Sequence, residues 1–301
     1  MPRPATRAAT ARPPASEPAP AATLKLHELR PGWATELTKW RPSAEIVECD
    51  DCIVVRTPGN PSWYWGNCLI LADAPRDEDV GHWLARFARE IGDRQLASRH
   101  VAIGVNPPWQ GERRPAWQAA GLKPYVNAVM RLVPGELAAP RPVQAHEVLV
   151  RPIAWPDEVP AIVELECADT DGHDVAGYRM VRERAFADLA RLQAEGRAEW
   201  FGLWCDGVLA ADCGLLRPEP RPGATARFQR VATHPAWRRR GLARALVHAA
   251  SRFALERWQA GEVVMIADPG DVAIALYRSL GWREFEREWG FERKAPQDAA
   301  P

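Results

Sequence analysis

The chain has no charge surplus. Its 39 lysine and arginine side chains equal its 39 aspartates and glutamates. A dedicated nucleic-acid binder offers the phosphates a clear basic excess, so the balance argues against a nucleic-acid partner. No apolar run reaches the length of a membrane span, which argues against a membrane partner. The first 22 residues lack the apolar core of a secretory leader. They are rich in proline and alanine with scattered arginines, and read as a disordered tail on a cytoplasmic protein. Cysteine is not arranged for a metal either. Cys49 and Cys52 form a lone Cys-x-x-Cys with no second pair to complete a zinc site. The strand-like Ile53, Val54 and Val55 follow where a redox motif needs a helix. Two thiols flanking an Asp-Asp hairpin turn account for the motif, and no metal is expected.

What is present fits an ordinary globular protein of two domains: 301 residues, 47% apolar and 26% charged. The pattern predicts strands near residues 44–49, 52–56 and 67–72, and then a helix over 77–92. Val80, Trp83, Leu84, Phe87, Ala88 and Ile91 give that helix one apolar face. A buried strand from His100, a short helix ending at Gly121 and a strand from Tyr125 complete the first half. The proline-rich stretch from Pro134 reads as a linker.

The second half predicts a strand from Glu147, helices over 157–168 and 174–195, and strands over 199–205 and 208–216 joined by a Cys-Asp-Gly turn. Then come a strand from Ala226, a long helix, a strand from Glu262, a short helix ending at Gly281 and a closing hairpin from Arg283. Strand, long helix, strand, short helix, glycine, strand is the order in both halves, which suggests one fold repeated in tandem. The expected division is a tail over 1–22, a first domain over 23–140 and a second over 141–296.

The long helix of the second half carries the most chemistry. Leu242, Ala245, Leu246, Ala249, Ala250 and Phe253 recur at helical spacing, and the helix begins at Gly241 directly after three arginines. A helix start presents unpaired N–H groups and the positive end of the macrodipole. Gly241 and Ala243 keep side chains small there, and the arginines add charge-assisted hydrogen bonds, so a pyrophosphate is the economical ligand. The plainer alternative is a solvated helix start.

The stretch "VATHPAWRRRGLARAL", from Val231, resembles the acetyl-coenzyme A signature of the GNAT acyltransferases, with Arg238, Gly241 and Ala243 at the motif positions. "DVAIALYRSLGW", from Asp271, resembles that family's tyrosine helix. The resemblance covers about half of the chain. It implies an α/β (α+β) architecture of two tandem GNAT-like domains, each a mixed, largely antiparallel sheet flanked by helices. It also implies an acetyl-CoA-dependent N-acetyltransferase, with acetyl-CoA as co-substrate and a small-molecule amine or protein amino group as acceptor. A non-catalytic acyl-CoA sensor is the alternative.

By the same resemblance, the backbone of Val231 and Thr233 would pair with the pantetheine arm. Arg238, Arg239, Arg240, Gly241, Leu242, Ala243 and Arg244 would surround the pyrophosphate, and Tyr277 would protonate the departing thiolate. Tyr277 could instead be a packing ring. Two positions depart from the family pattern: Gly270 stands where asparagine is frequent, and Gln229 where a strand-borne glutamate base is frequent. Glu199, Asp212 and Glu164 are the candidate substitutes, and His234 reads as a local hydrogen-bonding residue.

The first half lacks these features. Its corresponding loop, from Ala72, carries Asp73, Asp77, Glu78 and Asp79 against Arg76, which would repel a pyrophosphate. Trp117 stands where the second half has Tyr277. This half resembles a degenerate GNAT-like domain that has lost coenzyme A binding. Its Trp63, Tyr64 and Trp65 could line a substrate wall or pack the halves together.

Overall fold

The computed structural model describes residues 24–140, 143, 147–168 and 174–295. The expected N-terminal tail and part of the expected linker lie outside them. The first half contains helix α1 (Pro31–Trp40), strands β1 (Glu45–Glu48), β2 (Cys52–Arg56) and β3 (Cys68–Leu71), and helix α2 (Val80–Phe87). Strand β4 (Val101–Val105), helix α3 (Pro115–Ala119) and strand β5 (Lys123–Leu132) follow. The second half contains β6 (Val148–Pro152), α4 (Val159–Cys167), α5 (Val175–Ala194), β7 (Ala198–Cys205) and β8 (Val208–Leu216). It continues through β9 (Thr225–Thr233), α6 (Leu242–Glu256), β10 (Glu262–Ala267), α7 (Ala273–Ser279) and β11 (Arg283–Arg293).

Among the described residues, eleven strands join one sheet in the order β1-β2-β3-β4-β11-β5-β10-β9-β8-β7-β6. The sheet is mixed and mostly antiparallel, with parallel pairs at β3–β4 and β9–β10. Each half thus has its parallel pair, and the two halves share a continuous sheet. The join is an exchange. β11, from the chain's end, lies between β4 and β5 of the first half, and β5 in turn pairs with β10.

This corrects the expected closing hairpin: residues 283–293 form one long strand. Gly290 resembles a turn residue in the sequence, yet it is paired with Gly104 in mid-sheet. A Cβ there would meet the Ile103 carbonyl oxygen at 2.5 Å, so the close approach of strands requires glycine.

Burial on both faces explains the near-continuous apolar strands of the first half. Cys52, Val54, Leu69 and Leu71 pack with Trp83, Phe87 and Trp117, whereas Ile53, Val55 and Ile70 pack with Trp33, Leu37 and Trp40 of α1. The sequence reading omitted α1. In the second half, α6 and α7 cover one face of the sheet, while α4 and α5 pack over Trp200 and Leu216 on the other. Among the described residues, no helix is long and apolar enough to cross a membrane.

Candidate functional site

β9 starts beside β10 and then leaves it. The parallel pairing runs over Thr225, Ala226 and Arg227 against Glu262, Val263 and Val264. On its other edge β9 stays paired with β8 as far as Thr233 opposite Ala211. A bulge accompanies the divergence: Arg230 has φ +51°, and the register against β8 shifts between Cys213 and Gly214. The added twist of a bulge turns the rest of the strand away from its former neighbour. The gap opens into a cleft of about 950 Å³. Val231, Thr233, Arg238, Arg239, Arg240, Gly241, Leu242, Ala243, Arg244 and Tyr277 all line it, so the structure brings the expected cofactor-binding residues and Tyr277 to one cleft.

The loop at its head is built for an anion. Gly241 caps α6 at φ +83°, a left-handed conformation that a Cβ disfavours, and no side chain caps the helix. The first bond across this start runs from the Ala245 N–H to the Gly241 carbonyl, 3.2 Å. The N–H groups of Leu242, Ala243 and Arg244 therefore come before the helical ladder and are free for an external acceptor. Leu242 is 1% exposed, so its side chain belongs to the core and its contribution is the backbone.

The arginines are partly tethered. Arg238 donates from Nε to the Thr233 carbonyl (3.2 Å), and Arg240 donates to the Ala236 carbonyl (3.3 Å) while lying 4.7 Å from the Trp237 ring centroid. His234 accepts the Ala236 N–H at Nδ1, 3.2 Å, a local bond that shapes the loop. Uncapped amides, a glycine with positive φ and clustered guanidiniums together fit a pyrophosphate.

At the other wall, the Tyr277 ring is buried, and burial pushes its phenol pKa up, with Asp271 and the Cys213 thiol adding to the shift. The hydroxyl therefore stays protonated throughout the neutral range. Asp271 accepts the Ala273 N–H at 2.9 Å and so starts α7. Asp268 accepts the Gly270 N–H at 2.7 Å, a local bond that holds the turn where the family pattern has asparagine.

None of the three candidate bases lines the cleft. Asp212 is fully buried on β8. Burial and the neighbouring Glu166 raise its pKa well above the ordinary value, and it accepts from Trp200 Nε1 at 2.8 Å. Glu164 is an exposed partner of Arg179, whose hydrogen bonds hold it below its ordinary value. Glu199 is raised by burial and accepts its neighbour's backbone N–H. The carboxylate that the sequence reading missed is Glu166. It is fully buried and binds Arg182 (2.9 Å), the Tyr178 hydroxyl (3.1 Å) and Arg230 (3.4 Å) at the back of the bulge. A Val-Glu-Leu-Glu-Cys sequence on an amphipathic helix gives no sign of which glutamate turns inward.

In the first half the same geometry is closed by the chain itself. β3 and β4 stay paired to their ends, and the Asn106 N–H continues the ladder to the Leu71 carbonyl at 3.0 Å. Asp77 accepts the Ala116 N–H (2.9 Å), Asp79 accepts the Arg76 N–H (2.8 Å), and Trp117 Nε1 donates to the Arg76 carbonyl (3.0 Å). The acidic loop satisfies itself where the second half leaves amides open. Of the aromatic trio, Trp65 packs between Trp33 and Tyr125, and Tyr64 stacks on His100. Trp63 instead faces a smaller cavity between the halves.

Residues 159–282 match the family model described as Acetyltransferase (GNAT) family. Three solved structures share the fold. A functionally unknown conserved protein from Staphylococcus epidermidis aligns with TM-score 0.66 at 12% identity, over 84% of this chain and 95% of that one. A GCN5-related N-acetyltransferase from Kribbella flavida aligns with TM-score 0.62 at 17% identity, over 88% and 95%. A tandem GNAT protein from the clavulanic acid biosynthesis pathway aligns with TM-score 0.51 at 18% identity, over 85% and 79%. No curated protein matches the sequence. The second half thus carries a GNAT-family domain, the fold of acyl-CoA-dependent acyltransferases.

Proposed function

With residues 159–282 carrying a GNAT-family domain, we propose that the chain is an N-acetyltransferase that moves an acetyl group from acetyl-CoA to an amine, using the second half alone for the cofactor. The observation that carries this reading is the divergence of β9 from β10 beside an uncapped α6. Acetyl-CoA would supply the thioester carbonyl that the amine attacks. The amides of Leu242, Ala243 and Arg244, with the flanking arginines, hold the pyrophosphate. The free edge of β9 at Val231 offers its backbone to the pantetheine arm, and the Thr233 carbonyl already serves Arg238.

The amine nitrogen bonds to the carbonyl carbon as the carbon–sulfur bond breaks. Tyr277 gives its proton to the departing thiolate, the amine's own proton leaves to water, and water returns a proton to the Tyr277 phenolate. Tyr277, on α7, is buried in a core cluster with Cys213, Met265 and Trp282, which positions its ring before substrate arrives.

A second reading, a non-catalytic acyl-CoA sensor, is favoured by Gln229, whose buried Oε1 accepts no hydrogen bond. One experiment separates the two. Calorimetric titration with acetyl-CoA is followed by an amine panel read out as released thiol. Binding with amine-dependent thiol release supports the transferase, and binding without release from any amine supports the sensor. Absence of binding would sink both.

A further inference from the structure

A cavity of about 340 Å³ lies where α5 of the second half faces α1 and the Trp63 loop of the first. Arg230 lines both this cavity and the cofactor cleft, so the two meet at the bulge of β9. One side is apolar, made by Val181, Leu189 and Leu192 of α5 with the Trp63 ring opposite. The halves are tied together around it. Asn60 Nδ2 donates to the Val181 carbonyl at 3.1 Å, and Arg191 donates to the Pro42 carbonyl at 3.1 Å.

The other side is cationic. Lys39, Arg182 and Arg230 line the cavity against Asp188. Counting the ion partners of these groups leaves the same surplus. Glu166 serves Arg182 and Arg230, Glu36 serves Lys39 and Arg227, and Asp188 serves Arg191, so five cations meet three carboxylates. Two more carboxyls, Asp212 and Glu288, stand nearby, and burial raises the pKa of both as it lowers that of Lys39. A partly enclosed site lined by three cations and one carboxylate favours an anionic ligand. Arg230 is the most accessible of its lining cations, with a side chain 31% exposed against 14% for Lys39 and 11% for Arg182. It also stands at the junction with the cleft, where the reacting amine must lie.

We propose that this cavity is the acceptor site and takes a free α-amino acid with a large apolar side chain. Its carboxylate is held at Arg230, and its side chain lies against Leu189 and the Trp63 ring of the first half. The proposal rests on the acyltransferase reading above. An α-amino group sits one carbon from its carboxylate, so an acid held at Arg230 presents its amine at the mouth of the cofactor cleft. The volume suits a small molecule. The half that lost its own cofactor site therefore supplies one wall of the acceptor site, through Trp63 and Lys39.

The test is calorimetry on the full chain, with and without coenzyme A, using phenylalanine, phenylalaninamide and phenethylamine. Phenylalanine should bind at least ~10-fold more tightly than either analogue lacking the carboxylate, since a charge-assisted pair is lost in both. Arg230→Gln should remove that preference. Trp63→Ala, or Ala185→Trp to fill the cavity from α5, should weaken phenylalanine ~10-fold or more while leaving acetyl-CoA affinity unchanged. Equal binding of acid and amide, or no phenylalanine binding in either condition, overturns the proposal. So does indifference to both cavity variants. Acetyl-CoA titrations of the same proteins judge the transferase reading separately. A chain that binds acetyl-CoA and acetylates other amines but ignores phenylalanine keeps that reading and loses this one.

Discussion

Arg227 on β9 and Glu36 on α1 form a buried ion pair that joins the two halves, although they lie 191 positions apart. Thr35 accepts a second bond from the same guanidinium at 2.6 Å, and Lys39 binds the other face of Glu36. Burial alone would raise the Glu36 pKa, but Arg227 and Lys39 outweigh it and hold the carboxylate below its ordinary value. Removing one partner strands the other in a dry interface. Arg227→Met should therefore cost about 3–5 kcal/mol of stability, read as a lower urea midpoint. An unchanged midpoint would mean that water reaches the pair.

Glu288 on β11 lies in the same interface, with neither carboxylate oxygen hydrogen-bonded. Burial, reinforced by Glu36, pushes its pKa from the ordinary 4.5 up to about 8. Between these values the folded chain keeps a proton that the unfolded chain has lost. Stability from this group is full below about pH 4.5 and falls as pH rises through 8. Glu288→Gln should flatten that decline, measured as urea midpoints across pH 5 to 9. Parallel profiles for the two proteins would contradict the assignment.

Gly241 holds φ +83° with nothing within 4 Å of where its Cβ would be. A side chain there meets strain, of order 1–2 kcal/mol, but no clash. Gly241→Asn, which tolerates this conformation, and Gly241→Glu should therefore unfold at similar, slightly lower temperatures than wild type. Only the glutamate places a charge against the pyrophosphate, so it should abolish the one acetyl-CoA site expected per chain in calorimetry. Residual binding in the glutamate variant would point to a second site in the first half.

Tyr277→Phe keeps the buried ring and removes the proton. Turnover should fall about 10²-fold, the low end for a general acid because a thiolate leaves readily, with acetyl-CoA affinity unchanged. Since the phenol pKa is raised, the wild-type rate should show no loss from its ionisation below about pH 10. Wild-type turnover in the variant would return Tyr277 to a packing role.

Legibility followed locality. The α6 start was readable because everything that defines it lies within a few residues: Arg238, Gly241, and the apolar stripe from Leu242. So was the acidic character of the matching loop in the first half, from Asp73, Asp77, Glu78 and Asp79. What escaped reading depends on partners far away in the chain. α1 opens with Pro31 and Gly32, which look like a loop. Gly32 is required because the Glu288 side chain occupies the space 2.6 Å from its would-be Cβ. Gly290 imitates a turn for the same kind of reason, with β4 as the neighbour. Lys39 and Trp63 carry no local sign that they face α5, and Glu166 none that it faces Arg230.

The position of β11 sets an order of assembly. Translation delivers α1 through β5 before β11, yet β4 and β5 meet only through that later strand. Until then the first-made unit holds two bare strand edges lined by Val101, Ile103, Val129 and other apolar residues. Such edges recruit foreign strands. The half made before its partner is thus the later one to close. A ribosome stalled between β5 and β11 would leave behind a nascent chain prone to clump, and chaperone dependence should concentrate in that interval.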